Sequence, residues 1–176
     1  LSGTIAWQQK TSLWQVVGNN IQLKVNGEQG AETAFTFKHN NDGSWLLLSD
    51  YLRLSDITAF ALLSDNSPEL LRKQKPAGEM SNLAVTSSIN NEITGLSFTL
   101  QEGAVEPWRD YPGVTGLSLN VDWNEGLAEV DFTSHKLTLY ADKWLDKAVF
   151  FDSMTGGLSW KKGAQQEWTF KSDGLY

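Results

Sequence analysis

Apolar and polar residues alternate with a period of two along almost the whole chain. Ile21, Leu23 and Val25 alternate with Gln22, Lys24 and Asn26, and Phe35 and Phe37 with Thr36 and Lys38. Leu96, Phe98 and Leu100 alternate with Ser97, Thr99 and Gln101, and Leu117, Leu119, Val121 and Trp123 with Ser118, Asn120 and Asp122. Val130 and Phe132, Leu137 and Leu139, and Val149 and Phe151 keep the rule. Successive side chains of a strand point to opposite faces, so each run predicts a strand with one apolar and one polar face. Asn26-Gly27, Asn41-Asp42-Gly43, Asn124-Glu125-Gly126 and Lys162-Gly163 separate the runs. Asn-Gly and Asp-Gly supply the positive φ that tight hairpins need. The pattern predicts an all-β, mostly antiparallel meander of about a dozen strands.

One stretch breaks the period. Residues 55–63 read as a helix with Ser55 at its N-cap, and Ser67-Pro68 restart a helix that Pro76 and Gly78 end. A small helical insertion near residues 55–75 is expected. Ile57, Phe60, Leu63, Leu70 and Leu71 are expected to plug one end or edge of the sheet.

The chain also opens and closes on one pattern. Gly3-Thr4-Ile5-Ala6-Trp7 is followed across a polar turn by Trp14, and Gly156-Gly157-Leu158-Ser159-Trp160 is followed by Trp168. Self-similarity at an offset of about 153 residues marks a repeat architecture. Residues 1–176 are therefore expected to be a single β-rich segment of a longer repeat protein, with a second repeat beginning near residue 154.

Composition excludes several partners. Net charge is −7 and no basic block occurs, which argues against nucleic acid and against docking on anionic membrane surfaces. No run approaches the roughly 18 apolar residues of a spanning helix, so no membrane insertion by this segment is expected. Cysteine is absent, which removes disulfides, thiolate metal sites and a cysteine nucleophile. Asn40-Asn41-Asp42-Gly43 lacks the ligand spacing of a calcium loop. His39 and His135 have no neighbour at metal-binding distance in sequence. No nucleophile elbow or nucleotide loop is present. Catalytic residues, metal and cofactor: none is expected.

Many one-sided strands create a large apolar face, and soluble proteins seldom leave such a face open. Either the sheet closes on itself as a sandwich or barrel, or it curls into a trough that meets an apolar ligand. Alternation is the same in both. The candidate lining of a trough is Ile5, Trp7, Ile21, Leu23, Val25, Phe35, Phe37, Leu96, Phe98, Leu117, Leu119, Val121, Phe132, Leu158 and Trp160. Trp7 shares a strand face with Ile5, and Trp160 with Leu158, which predicts burial in the apolar layer rather than a sugar-stacking platform. Trp7 with Trp14, and Trp160 with Trp168, are expected as cross-strand pairs. Trp108 is expected at a groove rim, with Arg109 paired to Asp110 or near a phosphate.

The paired Gly-x-Ile/Leu-x-Trp hairpins resemble the repeats of the YhdP family of AsmA-like bacterial proteins. The segments Lys75-Pro76-Ala77-Gly78-Glu79-Met80, Tyr111-Pro112-Gly113-Val114-Thr115-Gly116-Leu117 and Met154-Thr155-Gly156-Gly157 are similar to that family's passages, in the same order along nearly the whole chain. The resemblance implies a curved β-sheet with a hydrophobic groove, in a periplasmic protein anchored to the inner membrane. It implies phospholipid acyl chains as cargo moving between inner and outer membrane, adjacent repeats of the same parent chain as partners, and no catalytic residues. A carbohydrate-binding β-module and a structural repeat of a large surface protein are the alternatives.

Overall fold

The computed structural model describes residues 1–25, 27–61, 69–141, 143–163 and 167–176, with all side chains there except those of Val25, Phe60 and Ala61. The alternating runs form β1 (Ser2–Gln9), β2 (Leu13–Val25), β3 (Glu28–Asn40) and β4 (Trp45–Arg53). Two short helices follow, α1 (Leu54–Ala61) and α2 (Glu69–Gln74). The sheet then resumes with β5 (Ala77–Ser87), β6 (Ile93–Val105), β7 (Gly113–Asn124), β8 (Leu127–Tyr140), β9 (Val149–Lys162) and β10 (Trp168–Asp173). Each strand pairs antiparallel with its neighbours in sequence, giving one open sheet in the order β1 to β10.

The count among the described residues is ten strands, not about a dozen. Val130–Phe132 and Leu137–Leu139, two runs in the sequence, lie on the single strand β8. Lys136 between them takes φ 54°, so the strand bends there without ending.

That bend belongs to a line of irregularities crossing the sheet. Positive φ recurs at Gly3 (125°), Asn20 (54°), Asn82 (55°), Glu102 (49°), Gly116 (74°), Lys136 (54°) and Gly156 (124°). Register shifts accompany it between β1 and β2, β2 and β3, β5 and β6, β6 and β7, and β7 and β8. A bulge bends its strand and raises the local twist. Bulges on neighbouring strands therefore crease the sheet, while the β3–β4, β4–β5 and β8–β9 pairs keep an unshifted register.

Side chains replace the ladder bonds lost at the crease. The Ser134 hydroxyl accepts from Ser118 N at 2.8 Å and donates to Ser118 O at 3.0 Å. Ser118 Oγ in turn accepts from Glu102 N at 3.1 Å. On β3 and β4, the Asp50 carboxylate accepts from Ala34 N at 2.7 Å and Tyr51 N at 2.8 Å, and Thr33 Oγ1 donates to Tyr51 O. Each bond satisfies a backbone group that would otherwise be unpaired.

The connections differ at the two ends of the strands. One end carries the short turns after β1, β3, β5, β7 and β9 (the turn end). The other carries α1, α2 and the loops 106–112 and 141–148 (the loop end). Helix α1 packs on β2, β4 and β5. Ile57 and Leu70, expected as plugs, are 41% and 40% exposed, whereas Thr58 is the residue that α1 buries, at 8%. Leu71 is half-buried, while the Phe60 side chain and Leu63 fall outside the described residues.

No second layer covers the sheet among the described residues: strands pack substantially only on their neighbours. The chain exposes 11515 Å², whereas a compact chain of its 19.6 kDa exposes about 8,600 Å². Among the described residues the buried apolar side chains are correspondingly few, namely Ile21, Leu119, Ala128, Val130, Leu137 and Ala141. Of the two arrangements compatible with alternation, the open one is observed.

Candidate functional site

Residues directly opposite each other on paired strands share a face, so the register traces rows across the sheet. One row crosses every strand: Trp7, Val16, Phe37, Leu47, Val85, Leu96, Trp123, Ala128, Trp160 and Phe170. None of these residues is polar. At about 4.8 Å per strand the row runs about 43 Å, across the strands.

Neighbouring rows extend the apolar face. Ile5, Gly18, Phe35, Ser49 and Leu83 align on β1 to β5, and Phe98, Val121, Val130, Leu158 and Ser172 on β6 to β10. Closer to the crease lie Leu52, Met80, Leu100, Leu119, Phe132 and Gly156. Gly18 permits close packing within this face: a Cβ there would lie 2.3 Å from the Phe35 ring, which covers the position.

The bulges keep the face apolar across the crease. Ile21 pairs with Thr33, two residues before Phe35, and so shares the Phe35 face although it lies an odd number of residues from Gly18. Leu23 follows two residues on. Leu117 pairs with Gly103 and precedes Leu119 by two. Beyond them Val105, Val114, Leu139 and Val149 form a further row. Every sequence-predicted lining residue whose side chain is described therefore falls on one face; the side chain of Val25 lies outside the described residues.

Exposure divides that set. Ile21 and Leu119 are buried at 7% and 9%, Ile5 and Trp7 are 57% and 61% exposed, and the others are half-buried. The expected burial of Trp7 is corrected: β1 is an edge strand, and among the described residues no second sheet covers the face. The expected cross-strand Trp pairs are corrected as well. Trp7 faces Val16 while Trp14 faces Gln9, and Trp160 faces Phe170 while Trp168 faces Lys162. Trp7 and Trp160 stand on β1 and β9, too far apart for one platform.

An amphipathic row borders the face at the turn end. Gln9, Trp14, His39 and Trp45 align across β1 to β4, and Lys162 pairs with Trp168 on β9 and β10. Trp14 stacks on His39 with ring centroids 5.3 Å apart and lies 5.4 Å from Phe37. Trp45 Nε1 donates to Asn91 Oδ1 at 2.6 Å. His135 is exposed on β8.

The loop end carries several ion pairs. Arg109 lies 4.2 Å over the Trp108 ring and pairs with Glu69 at 3.5 Å, whereas Asp110 pairs with Lys143. This corrects the expected Arg109–Asp110 pair. A polar cleft of about 310 Å³ lies between α1 and the β2–β3 end, lined by Leu23, Gly30, Arg53 and Asp56 among others. Asp56 is engaged there, accepting from Ala31 N at 2.7 Å. At the turn end Asp42 accepts from Ser44 Oγ at 2.7 Å and Ser44 N at 2.9 Å. Those bonds hold its carboxyl below the usual range, the behaviour of a turn cap. Among the described residues no cluster of three potential metal ligands occurs, and no helix is long and apolar enough to cross a membrane.

Comparison with known proteins identifies one family: the model of the YhdP protein family matches residues 1–176. No curated protein and no solved structure matches the chain.

Proposed function

Because the chain belongs to the YhdP family, a family of bacterial envelope proteins, we propose that its open face carries phospholipid acyl chains between the inner and outer membranes. The segment works in the periplasm as one stretch of a conduit, joined edge to edge with adjacent repeats of the same parent chain and acting without catalysis. The observation that carries this reading is the row of ten apolar residues running the full width of an uncovered sheet. Each acyl CH₂ kept out of water contributes about 0.8 kcal/mol. A row of similar side chains on every strand gives a nearly level path, on which a lipid is retained but not trapped. A discrete tight pocket would oppose that movement.

The edges favour continuation. Gly3 and Gly156 share φ values of 125° and 124°, and Asn20 and Gly174 take 54° and 64°. The β9–β10 hairpin thus repeats the backbone of the β1–β2 hairpin, as expected if a second repeat starts near residue 154. The strands β1 and β10 each present one unpaired edge, which is a template for further pairing.

The test is lipid extraction from the purified chain and from Phe98→Asp. Phe98 is half-buried on the face, so the variant is expected to fold and to lose co-purified phospholipid. A folded Phe98→Asp chain with undiminished lipid would contradict the proposal.

A further inference from the structure

The apolar face is banded along the strand direction, and the bands differ at its two ends. At the turn end the outermost row consists of side chains with an apolar body and a polar tip, among them Trp14, His39 and Trp45. Indole and imidazole rings suit a boundary between hydrocarbon and water. Inward from it come the uninterrupted apolar row, two further mainly apolar rows, and the crease. At the loop end the same face stays apolar up to Val105, Val114, Leu139 and Val149. It then meets connections that carry three ion pairs: Lys75 with Glu106 at 2.9 Å, Arg109 with Glu69 at 3.5 Å, and Lys143 with Asp110. At the turn end the amphipathic border stands on the strands in register with the apolar row, whereas the rings of the loop end, Trp108, Tyr111 and Trp144, stand in the connections beyond the last apolar row, Trp108 and Tyr111 stacked on each other.

The depth of the band fits one lipid tail. Leu96 to Leu100, and Trp123 to Leu119, are four residues apart, which is about 13 Å along a strand. From the outer row at Lys162 to the crease at Gly156 is six residues, about 20 Å. The hydrocarbon of one membrane leaflet is about 15 Å deep, half of a bilayer core.

Resting on the phospholipid reading above, we infer that a bound phospholipid lies along the strands, with its headgroup at the turn end beside Trp14, His39 and Trp45 and its chain ends at the crease. Transport then moves lipids sideways, from strand to strand along the rows, with orientation preserved. A lipid with its tails along the rows would instead span several strands and have no fixed headgroup border.

The chain contains no cysteine, so single cysteines can be labelled without other changes. Gln9→Cys reports the outer row and Leu100→Cys the row next to the crease. If Leu100→Cys fails to fold, Met80→Cys, its cross-strand partner, reports the same depth. Each variant carries a fluorophore and is loaded with phosphatidylcholine bearing a nitroxide either on the headgroup or at the chain terminus. Ser97→Cys, on the other face, supplies the background. The expected result is severalfold stronger quenching by the headgroup nitroxide at position 9, and by the chain-end nitroxide at position 100. Equal preference at both positions, or the reverse order, overturns the orientation while leaving lipid binding intact. Quenching at neither position, from either lipid, overturns the lipid reading together with the orientation.

Discussion

Ser134 has no exposed surface, yet its partners are backbone atoms rather than a core. Its hydroxyl is both donor and acceptor to Ser118 at the crease. Ser134→Ala would leave a buried N–H and a buried C=O without that partner. The expected cost is about 1–3 kcal/mol, read as a lower urea midpoint with the native denaturant slope. An unchanged midpoint would mean that the crease does not depend on the hydroxyl. Phe98 and Leu119 read alike in the sequence, as apolar members of alternating runs, and their different burial was not legible there. Leu119 is 9% exposed and Phe98 is half-buried. Depth depends on neighbours across the bend, which alternation does not encode. Leu119→Asp is therefore expected to unfold the chain, since it buries an unpaired charge, while Phe98→Asp stays folded. Circular dichroism of the two variants separates these outcomes, and two equally folded variants would contradict the assignment of depth.

At the scale of elements, the strands were legible and the crease was not. Period-two alternation placed nearly every strand, and the break at residues 55–75 placed both helices. Positive φ at Glu102 and Lys136 carries no sequence signal, because neither residue favours that conformation. A fainter sign was present: the apolar step lengthens to three residues from Val114 to Leu117, where a bulge restores the facing. Glycines test the crease directly. A Cβ on Gly78 (φ 121°) would lie 2.8 Å from Gly103 Cα, whereas on Gly126 (φ 92°) the nearest atom is Lys162 O at 3.8 Å. Both substitutions strain the backbone, but only Gly78→Ala also forces two strands apart. It should be more destabilising by at least about 1 kcal/mol in chemical denaturation. Equal effects would show that the strands at the crease are not closely packed.

At the scale of the molecule, the described residues form an open sheet held together by its strand ladders more than by a core. Alternation does not separate a closed sandwich from an open trough, because both demand one apolar face per strand. What separates them is that no covering layer occurs among the described residues, a property of the assembled sheet and of no single run. The sequence did show the raw material of the row, since Trp7, Phe37, Leu96 and Trp160 were recognised as face residues. Their alignment into one line appeared only with the register. Edge exposure follows from the same architecture: Trp7 on β1 and Phe170 on β10 are 61% and 72% exposed, while Trp160, flanked by β8 and β10, is half-buried. A strand added at either edge should lower the exposure of its edge aromatic, which would appear as a blue shift of tryptophan emission for a longer segment that carries one more hairpin at its β1 edge. No shift would indicate that β1 is a true terminus of the sheet.

The central claim is that the open face holds phospholipid. Native mass spectrometry of the 176-residue chain, purified without added lipid and then titrated with phosphatidylethanolamine, tests it most directly. The account predicts adducts of phospholipid mass on the isolated chain, increasing with added lipid and released at modest collision energy. A chain that appears bare and remains bare across the titration would contradict it.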